Sequence, residues 1–145
     1  MTAPLGGVLL DTCAVIWLAN GDRLHRPATE AIIAAGLSRG IFVSPISAWE
    51  VGLLARPSGR NSPRSEFLPT PRAWFARVMA GPGIRPAPLT PDIAIDASYL
   101  PGDINGDPAD RMIVATARQL NIPVVTRDAR ILAYARRGHV VAIRC

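Results

Sequence analysis

The chain contains only 11 acidic residues, and two of them lie just after apolar segments that are predicted to be strands. Asp11 follows Val8-Leu9-Leu10, and Asp128 follows the segment 123–126, whose sequence is PVVT, after a single arginine. In an open parallel sheet, ligands bind beyond the carboxyl ends of the strands. Both carboxylates are therefore candidates for the chemistry of this protein.

Each of these two aspartates also stands where a predicted helix begins, and Asp is a favourable N-cap residue. The sequence alone leaves both interpretations open: a local cap, or a side chain that faces the crevice. Thr126, at the end of the second segment, either adds a hydroxyl ligand to a site or caps the helix that follows.

Glu50 lies within a helical pattern whose apolar positions recur at intervals of three and four residues. These positions are Ile46, Trp49, Leu53 and Leu54. Glu50 completes the stripe, and a lone buried carboxylate is costly unless it is paired or binds a metal ion. The pattern thus predicts a functional Glu50; the alternative is that Glu50 lies at the edge of the stripe and reaches solvent.

Two further acids occur in the segment GDPADRMIVATA, which predicts a helix over 107–120. Pro108 fits the first helical position, which makes Asp107 the N-cap and Asp110 the third helical residue. Capping alone explains both residues. In the other interpretation Asp110 projects into the crevice, where the helix dipole favours its ionised form.

If these acids converge, they need a cation, because neighbouring carboxylates repel one another. Oxygen ligands select hard ions such as Mg²⁺ or Mn²⁺. Such an ion can activate water and stabilise the negative charge that develops on a phosphodiester. The formal net charge of +5, carried by 16 arginines and no lysine, suits a polyanion or an acidic protein partner.

Strand and helix patterns alternate along the 145 residues, which predicts one α/β domain over 1–145 with a parallel sheet covered on both faces. Residues 84–89, which include two prolines, are expected to form an edge strand at most. The proline-, serine- and arginine-rich residues 57–71 are expected to form a surface loop.

Other residues exclude several classes of site. Cys13 and Cys145 lack CxxC spacing, so neither a zinc site nor a disulfide scaffold is expected, and Cys13 is predicted to be buried. His25 and His139 are isolated. We expect no signal peptide, no membrane span and a cytoplasmic location.

Three stretches together resemble the PIN-domain nucleases, and among them the VapC-like toxins. These stretches are LLDTCAVIWL, SPISAWEVGLLA and GDPADRMIVATARQLNIPVVTRDARI. The resemblance implies a three-layer α/β/α sandwich around a parallel sheet. It also implies an endoribonuclease dependent on Mg²⁺ or Mn²⁺, usually a homodimer, which is inhibited by an antitoxin protein.

The same resemblance implies roles for individual residues. Asp11, Glu50, Asp110 and Asp128 take the places of the four acids that bind the metal ion and serve catalysis, and Asp107 is a possible further ligand. The family pattern often has histidine where Asn105 stands, and no conclusion depends on that difference.

Several rival functions lack residues that they require. A phosphoaspartate switch needs a lysine, and a HAD-like phosphatase needs an aspartate where Cys13 stands. A P-loop enzyme needs the GxxxxGK motif, which is absent. Two alternatives stay open: a PIN nuclease that processes RNA or acts on DNA without being a toxin, and a non-catalytic PIN-fold module that binds RNA or protein.

Overall fold

A parallel sheet forms the centre of the computed structural model, which describes residues 6–56, 67–104 and 106–145. Within the described residues the sheet has five strands in the order β3-β2-β1-β4-β5. The strands are β1 Gly7–Leu10, β2 Gly40–Val43, β3 Ile84–Pro86, β4 Val124–Thr126 and β5 Ala142–Arg144. All neighbouring strands are parallel.

The position of β1 at the centre follows from its composition. All four of its residues are buried, and a strand buried on both faces has a continuous apolar sequence. Leu9 and Leu10 pair with Val124 and Val125 of β4, and β1 also pairs along its whole length with β2.

The described residues form helices on both faces of this sheet. They are α1 Thr12–Asn20, α2 Arg26–Gly36, α3 Pro45–Ala55, α4 Pro71–Met79, α5 Pro91–Ser98, α6 Pro108–Leu120 and α7 Ala129–Arg136. Val8 and Leu10 pack in one hydrophobic cluster with residues of α1 to α4, whereas Leu9 packs in the other with α5 to α7. Successive residues of a strand point to opposite faces, and the predicted three-layer α/β/α architecture is confirmed.

Two details of the predicted elements need comment. The edge strand is confirmed but is short, since β3 covers only Ile84–Pro86 and pairs with β2 alone. Residues 57–66 of the predicted surface loop lie outside the described residues. The prediction is wrong for Phe67, which is buried and packs edge-on against Trp74, with ring centroids 5.0 Å apart.

Within the described ranges, no helix has both the length and the apolarity that crossing a membrane requires.

The carboxyl ends of the three central strands lie at one edge of the sheet and lead directly into helices. The backbone N–H of Asp11 donates to the carbonyl of Val125, which brings the ends of β1 and β4 together. Ser44 follows β2 and caps α3, its hydroxyl accepting from the backbone N–H of Ile46 at 3.1 Å. Asp11, Asp128 and the start of the helix that carries Glu50 therefore share this edge.

Candidate active site

Five carboxylates line one open cleft of about 360 Å³ at this edge of the sheet. They belong to Asp11, Glu50, Asp107, Asp110 and Asp128. The cleft thus brings together the four acids that the sequence nominated, together with the possible fifth. Its remaining lining residues are Thr12, Cys13, Trp17, Ile113, Arg127 and Arg130.

Asp11 caps α1 and also lines the cleft, so both interpretations of its position in the sequence apply. One carboxylate oxygen accepts the backbone N–H of Ala14 at 2.8 Å, as expected of an N-cap. The other accepts the hydroxyl of Thr126 at 2.5 Å. Burial raises the pKa of Asp11, and the nearby charges of Asp128 and Glu50 add to the rise, although both hydrogen bonds oppose it.

Glu50 projects from α3 and is oriented by two hydroxyl groups. The Thr12 hydroxyl donates to Oε1 of Glu50, and Oγ of the fully buried Ser47 lies 2.9 Å from the same hydroxyl oxygen. Since the Thr12 proton is already donated to Glu50, the Ser47 hydroxyl donates to Thr12. The hydrogen-bonded series therefore runs from Ser47 through Thr12 to Glu50.

The apolar stripe from which a functional Glu50 was predicted does not lie on the face of α3 that packs on the sheet. Trp49, Leu53 and Leu54 are exposed, whereas Ser47 and Val51 are buried. Apolar residues occur around most of α3, so periodicity could not decide which face packs on the sheet. Glu50 lines the cleft beside that packed face, and it does not lie beneath an apolar stripe.

Asp107 and Asp110 divide the two roles that the sequence left open. Asp107 caps α6, its Oδ1 accepting the backbone N–H of Asp110 at 3.1 Å, and it also lines the cleft. Partial burial raises the pKa of Asp110 to about 6, and the charges of Asp107 and Asp128 contribute to the rise. Burial and the neighbouring carboxylates therefore oppose the ionisation of Asp110, whereas Arg130 favours it.

Asp128 caps α7, and its neighbour Arg130 joins it to Asp110. The Asp128 carboxylate accepts the backbone N–H groups of Arg130 and Ile131, at 2.8 and 3.3 Å. One terminal nitrogen of Arg130 lies 3.1 Å from Oδ2 of Asp128 and 3.5 Å from Oδ2 of Asp110. Partial burial alone would raise the pKa of Asp128, but these bonds from Arg130 and Ile131 outweigh it, and the pKa is lowered.

This bridging role of Arg130 was not predicted from the sequence, and neither were the roles of Thr12 and Ser47. The position of Arg130 two residues after a cap is the signal that could have found it, because a side chain there can return to the capping carboxylate. Ser47 and Thr12 lie 35 residues apart, so no local pattern relates them.

The chemistry of the cleft fits a hard divalent cation. Its acidic side chains offer only oxygen atoms, and burial together with mutual repulsion raises the pKa values of Asp11 and Asp110. A cation among them would offset that repulsion. Within residues 6–56, 67–104 and 106–145, no three Asp, Glu, His or Cys side chains lie close enough together to hold an ion as they stand. The donor set therefore fits Mg²⁺ or Mn²⁺, but the side chains must draw closer to bind it.

Cys13 and Trp17 also line the cleft. Cys13 is exposed, so its predicted burial is wrong. Partial desolvation of its thiol at the wall of the cleft, together with nearby carboxylates, raises its pKa and disfavours the thiolate. Trp17 packs against the hydrophobic core and also lines the cleft, with the guanidinium of Arg127 over its ring, 4.0 Å from the centroid.

A larger concavity of about 420 Å³ lies elsewhere, beside α1, α2 and α4. Its lining is largely aliphatic and includes no carboxylate, so it offers neither an acid nor a base. Size alone does not identify the reactive site here, and we assign the candidate active site to the acidic cleft.

Comparisons with known proteins agree with this fold. The family model of the PIN domain matches residues 8–137. Ribonuclease VapC22 of Mycobacterium tuberculosis is 33% identical over 128 residues, which cover 88% of this chain and 91% of that protein.

Two solved structures share the fold at low sequence identity. The first is VapBC2 from Rickettsia felis bound to a DNA fragment from its promoter, with a TM-score of 0.66 and 14% identity over 95% of this chain and 98% of the other. The second is FitAB bound to an IR36 DNA fragment, with a TM-score of 0.54 and 22% identity over 94% of each chain.

Proposed function

Since this chain belongs to the PIN domain family, we propose that it is a metal-dependent endoribonuclease and the toxin of a toxin–antitoxin pair. The observation that carries the proposal is the convergence of Asp11, Glu50, Asp110 and Asp128 on one cleft. The relative with 33% identity is named a ribonuclease, which supports RNA as the substrate.

We propose that these four acids hold Mg²⁺ or Mn²⁺, directly or through water, and that Asp107 contributes a further oxygen. A bound ion would supply activation of water and stabilisation of the charge that develops on the phosphodiester. Neighbouring hydroxyl groups orient two of these acids for metal binding. Thr126 fixes the orientation of Asp11, and the Ser47–Thr12 series fixes that of Glu50.

Arg130 has a different part in this proposal. Its guanidinium bridges Asp110 and Asp128, and these are oxygens that the ion requires. Asp110 and Asp128 would hold the ion with the oxygens that Arg130 contacts in its absence. Arg130 would then be free to attract the RNA backbone with its positive charge.

The proposed partners follow from the same assignment. An antitoxin protein would inhibit the enzyme, as the resemblance to the VapC-like toxins implies; the 33% identical relative is itself named VapC22. We also propose a homodimer, which the exposed apolar side chains Trp49, Leu53 and Leu54 on α3 would suit. The proposed location is the cytoplasm.

Cleavage of a mixed RNA pool tests this function. We expect the wild-type protein to cleave RNA with Mg²⁺ or Mn²⁺ and to be inactive with EDTA, and Asp110→Ala to be inactive with either ion because an acid of the cleft is lost. Asp96→Ala, which removes an exposed carboxylate from α5, is the matched control and should retain full activity.

The alternatives predict other results. A PIN nuclease of RNA processing would cleave in the same metal-dependent way but would not arrest growth when it is expressed without an antitoxin. A non-catalytic module would bind RNA or protein and cleave nothing under any metal ion. Cleavage that persists in EDTA would contradict the proposed metal dependence.

A further inference from the structure

The two arginines that line the acidic cleft are held in different ways. Arg130 is engaged by Asp110 and Asp128. Arg127 forms no ion pair with an Asp or Glu side chain of the described residues; its guanidinium lies over the Trp17 ring, 4.0 Å from the centroid. Arg127 is exposed and Trp17 is half-buried beneath it.

A second contact fixes the guanidinium of Arg127 in this place. Its Nη2 donates to the main-chain oxygen of Cys145 at 2.7 Å. The indole therefore packs against one face of the guanidinium, and this hydrogen bond holds one end of it. A group that is fixed before its ligand arrives loses less conformational entropy on binding. Arg127 therefore presents a planar cation in a set position on the wall of the cleft.

The negative charge of the cleft determines which part of a nucleic acid can bind at Arg127. Five carboxylates line it and repel phosphate groups, so an RNA strand that enters needs an attraction that is independent of the phosphates beside the acids. Unpaired bases supply one, since they stack on aromatic rings and on guanidinium planes.

We propose that Arg127, supported by Trp17, is a stacking subsite for one unpaired nucleobase of single-stranded RNA next to the acidic cleft. This inference rests on the proposed function for the choice of RNA, but it concerns binding and not cleavage. The base packs on the exposed side of the guanidinium, while the indole occupies the other side. The subsite positions the strand across the acids.

The test measures binding in EDTA, which removes the metal ion and any cleavage. The probes are a single-stranded RNA of about ten nucleotides and a ribose–phosphate oligomer of the same length without bases. Wild-type protein should bind the base-bearing strand about tenfold more tightly than the abasic strand, as expected for one stacked base.

Two variants then separate the subsite from a structural role. Arg127→Lys keeps the positive charge but loses the planar guanidinium, and Trp17→Leu removes the ring that supports the guanidinium. Each should bind the abasic strand as wild type does but lose most of the preference for bases. Arg72→Lys, at an exposed position of α4 outside the cleft, is the matched control and should keep that preference.

Three results would overturn the inference: equal affinity of wild type for both strands, retention of the preference in either variant, or a parallel loss of affinity for both strands. The last would indicate a phosphate contact or a structural clamp between α1 and the residue that follows β5. These outcomes are separate from the proposed catalysis. Metal-dependent cleavage without base-dependent binding would remove only this inference, and the reverse would remove only the proposed reaction.

Discussion

Asp11→Asn is expected to lower the rate of RNA cleavage by at least about a thousandfold, or about 4 kcal/mol of transition-state stabilisation. Asp11 lies directly after the central strand β1 and lines the cleft, where burial and neighbouring charges raise its pKa. The amide of Asn carries no negative charge, so the cation loses a ligand on which its affinity depends. The measurement is the initial rate of cleavage of a defined RNA with saturating Mn²⁺.

The same substitution should leave the fold intact, because Asn is as good an N-cap as Asp and no longer places a charge in a buried position. Thermal unfolding of Asp11→Asn should therefore match that of wild type. Asp92→Asn changes the same group at an exposed position of α5 and should leave cleavage unchanged. Full activity of Asp11→Asn would remove Asp11 from the site.

Thr126→Val is expected to weaken Mn²⁺ binding by about 10- to 100-fold, the usual cost of losing a partner that orients a metal ligand. The fully buried hydroxyl of Thr126 donates to Asp11 and accepts the backbone N–H of Asp128 at 3.0 Å. Valine has nearly the same shape but lacks both bonds. Since the bond from Thr126 lowers the pKa of Asp11, its loss also favours the protonated acid, which cannot bind the ion.

Thr116→Val is the matched control for that experiment. Thr116 is equally buried, and its hydroxyl donates to the carbonyl of Met112 within α6, away from the cleft. Its substitution should leave the dissociation constant for Mn²⁺ unchanged. Equal affinities for Mn²⁺ in Thr126→Val and wild type would mean that Thr126 does not orient a metal ligand.

The features that the sequence predicted well are those with a local cause. The apolar run of β1 predicts a strand buried on both faces, and Asp11 and Asp128 follow strands whose carboxyl ends meet at one edge. Asp107 was identified as a cap from Pro108 alone, and its bond to the N–H of Asp110 confirms this. Such inferences need only the residues next to the feature.

The features that the sequence missed depend on distant residues or on a choice between faces. The short series from Ser47 through Thr12 to Glu50 joins α3 to α1, and the contact of Arg127 with Trp17 joins the end of β4 to α1. The exposure of Cys13 follows from the side of α1 that faces the cleft. Each of these depends on how the helices pack on the sheet, which no local pattern specifies.

The central claim is that the acidic cleft binds a divalent cation, and calorimetric titration of wild type and Asp110→Ala with Mn²⁺ at about pH 7 and about pH 5 tests it most directly. Without a bound cation the pKa of Asp110 is about 6, so Asp110 is mostly ionised at the higher pH and mostly protonated at the lower one.

Protons then compete with the ion. We expect saturable Mn²⁺ binding by wild type that weakens at least about tenfold between the two pH values, and much weaker binding by Asp110→Ala at about pH 7. Absence of Mn²⁺ binding by wild type, or equal binding by Asp110→Ala, would contradict the account.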